Sequence, residues 1–270
     1  MAFQSINKKE TRVLLRELII TDFKLRYQNS ALGYLWSVIK PLFLFTVLYL
    51  VFDRFLNLGR GIEHYPVYLL TGVVLWTFFS EATTQGLGSI VKRGGLIRKI
   101  NFPKYIIVVS ATVSALINLA INLLVVLVFC LVNQVDIGWS ALLIIPLIIE
   151  LYVFALAIAF FLSSINAKYR DIGYLWEILL QAAFYATPII YPLQMVISQF
   201  EVAAKIIMLN PVAQVIQDAR QVLVTNDAVT TWELFSNMWY ELIPMFIVLL
   251  LVLLGIVYFR KNSKHFAEQI

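Results

Sequence analysis

An all-helical integral membrane protein is the fold class this sequence predicts, and three observations carry the prediction. Hydrophobic residues make up 61% and charged residues 14% of the 270, against roughly 45–50% and about 25% in an average soluble domain. Six stretches of about 20 residues carry at most one charge each, the length a helix needs to cross about 30 Å of hydrocarbon. Lysine and arginine gather in alternate connections between those stretches, as they do where one side of the chain stays cytoplasmic. The mean hydropathy of +0.83 excludes disorder, a secreted disulfide scaffold and an ordinary soluble enzyme.

Taken in order, residues 9–27 predict an amphipathic helix lying in the membrane interface. Leu14, Leu15, Leu18, Ile19 and Leu25 recur on one side, and Glu10, Glu17, Thr21 and Lys24 on the other. This opening stretch lacks the short apolar core and small-residue site of a cleavable signal. Spans are predicted at 32–52 (one charge, Lys40), 65–90 (Glu81), 105–132 (none), 141–165 (Glu150), 173–191 (Glu177) and 239–259 (Glu241). The connection 192–238 is long, and its part 195–208 is too apolar for a solvated loop before Asn210-Pro211 interrupts it. Two short re-entrant helices forming an outer gate are expected there. The whole chain, 1–270, reads as a single domain.

Charge orients the spans. Sixteen of the 21 lysines and arginines fall on the side of residues 1–31 and 92–104, and four (Arg54, Arg60, Lys205, Arg220) on the other. Both termini are therefore expected in the cytoplasm of a multi-pass plasma-membrane protein. The same distribution accounts for the net charge of +5 without nucleic acid as a partner. Cys130 lies within an apolar run and is the sole cysteine, so neither a disulfide framework nor a cysteine metal site is expected. No G-x-x-x-x-G-K-[ST] phosphate loop occurs, so the chain is not expected to hydrolyse nucleotide itself.

Leu25-Arg26-Tyr27-Gln28-Asn29-Ser30-Ala31-Leu32-Gly33-Tyr34-Leu35-Trp36, followed by Lys40-Pro41-Leu42, resembles the signature of permease subunits of polysaccharide-exporting ATP-binding-cassette transporters. Leu70-Thr71-Gly72 with Trp76-Thr77-Phe78-Phe79, Leu96 to Pro103, Asn166 to Asp171, Thr187-Pro188-Ile189-Ile190-Tyr191, Asn210-Pro211 and the tail Phe259 to Ala267 continue the resemblance in register. It implies a homodimer bound to two copies of a separate cytoplasmic ATPase, which holds the ATP and magnesium, so that this chain needs no cofactor. It also implies a lipid-linked glycopolymer as cargo in a bacterial cell membrane. Residues 18–41 look most like the wall teichoic acid exporters, with O-antigen or capsule export as the alternative.

Several residues are candidates for carrying that task. Lys92, Arg93, Gly94, Gly95, Arg98, Lys99, Phe102 and Pro103 form a short basic connection without an acid, suited to docking the ATPase; the plainer reading is an orientation signal that also attracts anionic lipid. Arg26, Tyr27 and Lys40 sit where a lipid diphosphate would enter, since a guanidinium grips anionic oxygens in pairs, although both cations would also serve by snorkelling to the interface. Arg170 and Asp171 are expected to clamp structure, with each other or onto the interfacial helix. Tyr34, Trp36, Trp76, Phe78, Phe79, Phe184, Tyr185 and Tyr191 are candidate channel aromatics, since ring faces stack on sugars without demanding one hydroxyl pattern. Lipid-facing belts are the alternative. Pro188, Asn210 and Pro211 mark the outer gate.

Two other mechanisms make distinct demands. An ion-coupled carrier needs convergent intramembrane carboxylates or histidines, yet His64 and His265 lie outside the spans and Glu81 is the most interior acid. A membrane-embedded transferase needs a cluster of His and Asp that the sequence does not present.

Overall fold

The computed structural model describes residues 8–27, 30–225, 228–235 and 238–270. All regular structure among them is helical. Among the described residues, five helical stretches are long and apolar enough to cross a membrane: Gly33–Phe55, Tyr65–Lys92, Tyr105–Val132, Trp139–Lys168 and Leu242–Asn262.

Helix α1 (Lys8–Tyr27) lies along α5 (Tyr105–Val132). It seats Leu18, with Leu14 and Leu15 beside it, in a cluster with Ile106, Ile107 and Phe102. Val13 and Leu25 stay exposed, leaving the helix apolar on a second flank as an interfacial element would be. Its polar pin is Asp22, which accepts from Nη2 of Arg93 and from Oγ of Ser110, the latter at 2.9 Å. The first span is α2 (Trp36–Leu48), which contains Pro41 and loosens into a π-helical segment at Tyr49–Phe55. A proline withdraws one donor from the helical ladder.

Helix α3 (Tyr65–Lys92) is the centre of the fold. It packs along α5 and along α6 (Ile144–Lys168), and 78% of its apolar window is buried, against 22–33% for the other four spans. Small residues permit this closeness: a Cβ at Gly86 would collide with Ala159 of α6. After α3 a turn at Arg93 leads into α4 (Gly94–Lys99) and then α5. The last long helix, α12 (Met238–Asn262), runs along α6, and α13 (Phe266–Gln269) returns under α4 with Phe266 fully buried.

The expected span at 173–191 is where the structure departs from the sequence reading. Helix α7 covers only Ile172–Ala186, 15 residues or about 22 Å at 1.5 Å per residue, less than the hydrocarbon thickness. Pro188 is the cause. It pushes the preceding residue out of helical geometry, and Thr187 is extended at φ −88°, ψ 137°. The connection expected as two re-entrant helices contains three principal ones, α8 (Leu193–Gln199), α9 (Glu201–Met208) and α10 (Pro211–Leu223), followed by the short α11 (Thr231–Phe235). Helices α8 and α9 close a small cluster of Leu193, Ala204 and Met208. Helix α10 is the deeply packed member, set against α3, α6 and α12.

Candidate functional site

A groove of about 830 Å³ opens between α2, α3 and α7, with Asn118 of α5 at its back. Helical period sorts the lining. Trp76, Thr77, Ser80, Glu81, Thr84 and Gln85 repeat at one and four residues and so share one face of α3. Lys40 and Trp36 face them from α2, and Leu180, Gln181, Phe184 and Tyr185 from α7. The groove is thus mixed in character, with aromatic faces beside hydroxyls and amides. Trp76 meets Phe184 edge to face with ring centroids 5.8 Å apart. Glu81 Oε2 accepts from Asn118 Nδ2 at 2.8 Å, which gives this intramembrane carboxylate a hydrogen-bond partner at the groove wall. Trp176 of α7 donates from Nε1 to Thr83 Oγ1 at 3.1 Å, fixing α7 against α3.

Gln85 also lines a second cavity, of about 460 Å³, whose other walls include Asp22, Leu25, Lys92 and Arg93. The groove therefore adjoins the basic turn after α3 and the flank of α1. A lumen of this kind can hold a chain of sugars by stacking and hydrogen bonding, and the cations Lys92 and Lys40 suit an anionic head.

Four of the eight candidate aromatics line the groove: Trp36, Trp76, Phe184 and Tyr185. The others do not. Phe78 and Phe79 are buried in the core, Phe79 stacking on Phe154 at 5.6 Å, because they point to other sides of α3 than Trp76. Tyr34 stacks on Phe23 of α1 at 5.2 Å. Tyr191 donates its hydroxyl to the carbonyl oxygens of Tyr185 and Ala186, 3.1 and 3.3 Å away, and so closes the end of α7. Of the diphosphate candidates, Lys40 is exposed in the groove, whereas the side chains of Arg26 and Tyr27 lie outside the described residues.

In the basic connection, Arg98 and Lys99 are exposed at the end of α4 and Lys92 at the end of α3, while Gly94 is buried against Ile270 and Phe102 in the core. Gly95 is open and Pro103 half-buried. Arg93 is not free to bind a partner, being paired with Asp22. That pair fastens α1 to the turn, which is the role sequence reading gave to Arg170 and Asp171. Both of these are exposed, and neither makes an ion pair among the described residues. Their backbone carbonyls start α7 instead.

At the expected gate, Asn210 and Pro211 begin α10: Asn210 Oδ1 accepts from the Val212 amide at 3.0 Å and proline takes the first helical position. Pro188 is buried, and its carbonyl accepts from Arg220 Nη1 at 2.6 Å. Arg220 is the residue that sequence reading missed. It is fully buried, donating also to the carbonyls of Ile189 (2.6 Å) and Tyr68 (3.0 Å). Tyr65 adds a hydroxyl to the carbonyl of Ile190 at 2.8 Å. The break after α7 thus has its freed carbonyls satisfied, as backbone away from water requires. The available signal was a lone arginine in an amphipathic stretch just after a buried-looking Asn-Pro start.

These features define a multi-pass helical membrane protein with a polar, aromatic groove along its central helix. The chain belongs to the ABC-2 type transporter family, whose description matches residues 13–224. It is 29% identical over 269 residues to the O-antigen export system permease protein RfbA of Klebsiella pneumoniae, covering 98% of this chain and 99% of the relative. RfbA of Myxococcus xanthus is 29% identical over 201 residues, 74% of this chain and 76% of the relative. The polysialic acid transport protein KpsM of Escherichia coli is 22% identical over 221 residues, 78% and 81% of the two chains.

Proposed function

We propose that this chain is the permease subunit of an ATP-driven exporter that carries a lipid-linked cell-surface polysaccharide out of a bacterial cytoplasm. The groove is the observation that carries the reading: its aromatic and hydroxyl lining suits a sugar chain, and its basic end suits a lipid diphosphate. The relatives' names, O-antigen export and polysialic acid transport, support an O-antigen or capsule type of polymer in preference to wall teichoic acid, the subgroup expected from residues 18–41.

In this reading the chain works as a homodimer. The exposed apolar residues of α7 and α2 that flank the groove, Tyr174, Ile178 and Phe43 among them, pack against the second copy and close the path. Two cytoplasmic ATPase subunits hold ATP and magnesium and press on α4 through Arg98 and Lys99, with both termini on their side of the membrane. The short α7 and the break after it, whose carbonyls are bonded by Arg220, Tyr65 and Tyr191, complete a sixth crossing together with residues 187–192, and α8 to α10 cover the outer mouth. The lipid diphosphate enters beside Arg26, Tyr27 and Lys40, and the polymer follows past Trp76 and Tyr185.

The test is reconstitution of the permease with its ATPase in vesicles. ATP turnover stimulated by lipid-linked O-polysaccharide, and lost in the Arg98→Glu/Lys99→Glu double variant, is the expected result. Turnover indifferent to every lipid-linked polymer offered would remove the substrate class, and turnover unaltered by the double variant would remove the coupling site.

A further inference from the structure

A cavity of about 580 Å³ lies apart from the groove, between the start of α5, the inner end of α6 and the end of α12. Its wall is apolar. Phe160 and Phe259 face each other there with ring centroids 4.9 Å apart, and Ile256 completes the wall. Its rim is cationic, with Lys104 before α5, Arg260 in the last turn of α12 and Lys264 just beyond it. No carboxylate lines it, and none of the three cations makes an ion pair among the described residues. The wall also continues into the surface: Leu249, Leu253 and Ile256 form one exposed apolar stripe that leads along α12 to Arg260.

We infer that this cavity holds one anionic phospholipid from the leaflet on the cation-rich side of the membrane. Its phosphate sits on Lys104, Arg260 and Lys264, and an acyl chain lies over Ile256 and up the α12 stripe. Charge complementarity selects the head, since three clustered cations with no ion-pair partner among the described residues attract anionic lipid at a membrane surface. The apolar wall selects a ligand with a chain, because a free phosphate gains nothing from Phe160 and Phe259. The lipid would join α12 to the residues following α4, so its occupancy bears on the same connection that the ATPase is proposed to press, although its binding does not depend on that proposal.

Native mass spectrometry of the full chain in complex with its ATPase, in detergent, tests this with phosphatidylglycerol, phosphatidylcholine and glycerol 3-phosphate as probes. One phosphatidylglycerol is expected to remain per chain under conditions that strip phosphatidylcholine. The Lys104→Gln/Arg260→Gln/Lys264→Gln variant is expected to weaken its retention at least about tenfold, while Arg54→Gln/Arg60→Gln, at the end of the first span and in the connection after it, leaves it unchanged. Ile256→Trp, which fills the seat and keeps every charge, is expected to weaken retention as well. Retention unaltered in either the triple variant or Ile256→Trp overturns the site. Competition by glycerol 3-phosphate as effective as the lipid's would make it a simple anion site, and lipid lost on ATPase binding would make it a protein contact; both results overturn the inference.

Discussion

The guanidinium of Arg220 lies 3.6 Å over the ring of Tyr68 and donates through Nε to that same residue's carbonyl oxygen at 3.0 Å. One side chain thereby holds the first turns of α3 and, through its two terminal nitrogens, the broken chain at Pro188 and Ile189. A guanidinium spreads its donors over three nitrogens in one fixed plane and so reaches three separated carbonyls, whereas an ammonium donates all its hydrogens from a single nitrogen that cannot stand within bonding distance of all three positions. Arg220→Lys is therefore expected to cost about 2 kcal/mol or more, since each buried carbonyl left without a donor costs about 1–3 kcal/mol. Thermal denaturation in detergent should show a midpoint lower by at least about 4 °C; an unshifted midpoint would contradict the assignment.

Gly72 is the counterpart of that arginine. A Cβ there would meet the Arg220 guanidinium, with Ile189 behind it. Gly72→Ala should destabilise the protein when Arg220 is present and have little effect in an Arg220→Ala background, because residues sharing one contact are not additive. Equal losses in both backgrounds would show that the two do not compete for space.

Asp22→Asn removes the charge that Arg93 and Ser110 hold on α1. Hydrogen bonds to charged groups contribute about 1.5–3 kcal/mol, and this pair is about one-fifth exposed, so a loss of roughly 1–2 kcal/mol in the docking of α1 is expected. Hydrogen exchange should accelerate across residues 8–27 while α3 and α6 keep their protection. Ser110→Ala should do the same more weakly. Uniform acceleration through the whole chain would point to general destabilisation instead.

The aromatic residues divide into two experimental classes. Tyr185 is 66% exposed in the groove, so Tyr185→Ala should leave stability within about 0.5 kcal/mol and reduce polymer-stimulated ATP turnover. Phe79 is 5% exposed and stacked in the core, so Phe79→Ala should cost about 3–5 kcal/mol and impair function only through lost protein. The reverse pattern in paired stability and turnover assays would reassign the path.

Glu81→Gln keeps an acceptor oxygen for Asn118 while removing the charge. ATP-driven transport should persist in this variant. Its abolition together with a pH-gradient requirement for the parent protein would favour an ion-coupled cycle.

Much of the architecture was legible because long apolar spans and the amphipathic α1 are properties of composition along the chain. The span 105–132 corresponds residue for residue to helix α5. Three things were not legible. Hydropathy ranks lipid exposure and not contacts, so the lower value of α3, the least apolar of the five long stretches, hints at its burial but not at which helices surround it. A long apolar stretch at 173–191 concealed a break, because Pro188 acts through geometry and not through polarity. Charge partners far apart in sequence leave no local pattern: Arg170 and Asp171 were expected to clamp each other or the interfacial helix, whereas it is Arg93 that holds Asp22 of that helix, across 71 positions. Among the aromatics, only the facing direction on each helix separates Trp76 from Phe79, and three residues of spacing are easily misassigned without knowing which side of α3 is open.

Helix α3 runs unbroken for 28 residues, about 42 Å, with Tyr68 near one end, the groove face in the middle and Arg93 just past the other end. Without an internal proline or widened turn, it has no joint at which displacement would dissipate. A push applied at the basic turn therefore reaches the anchored break on the far side as a translation of one stiff rod, with the groove carried along it.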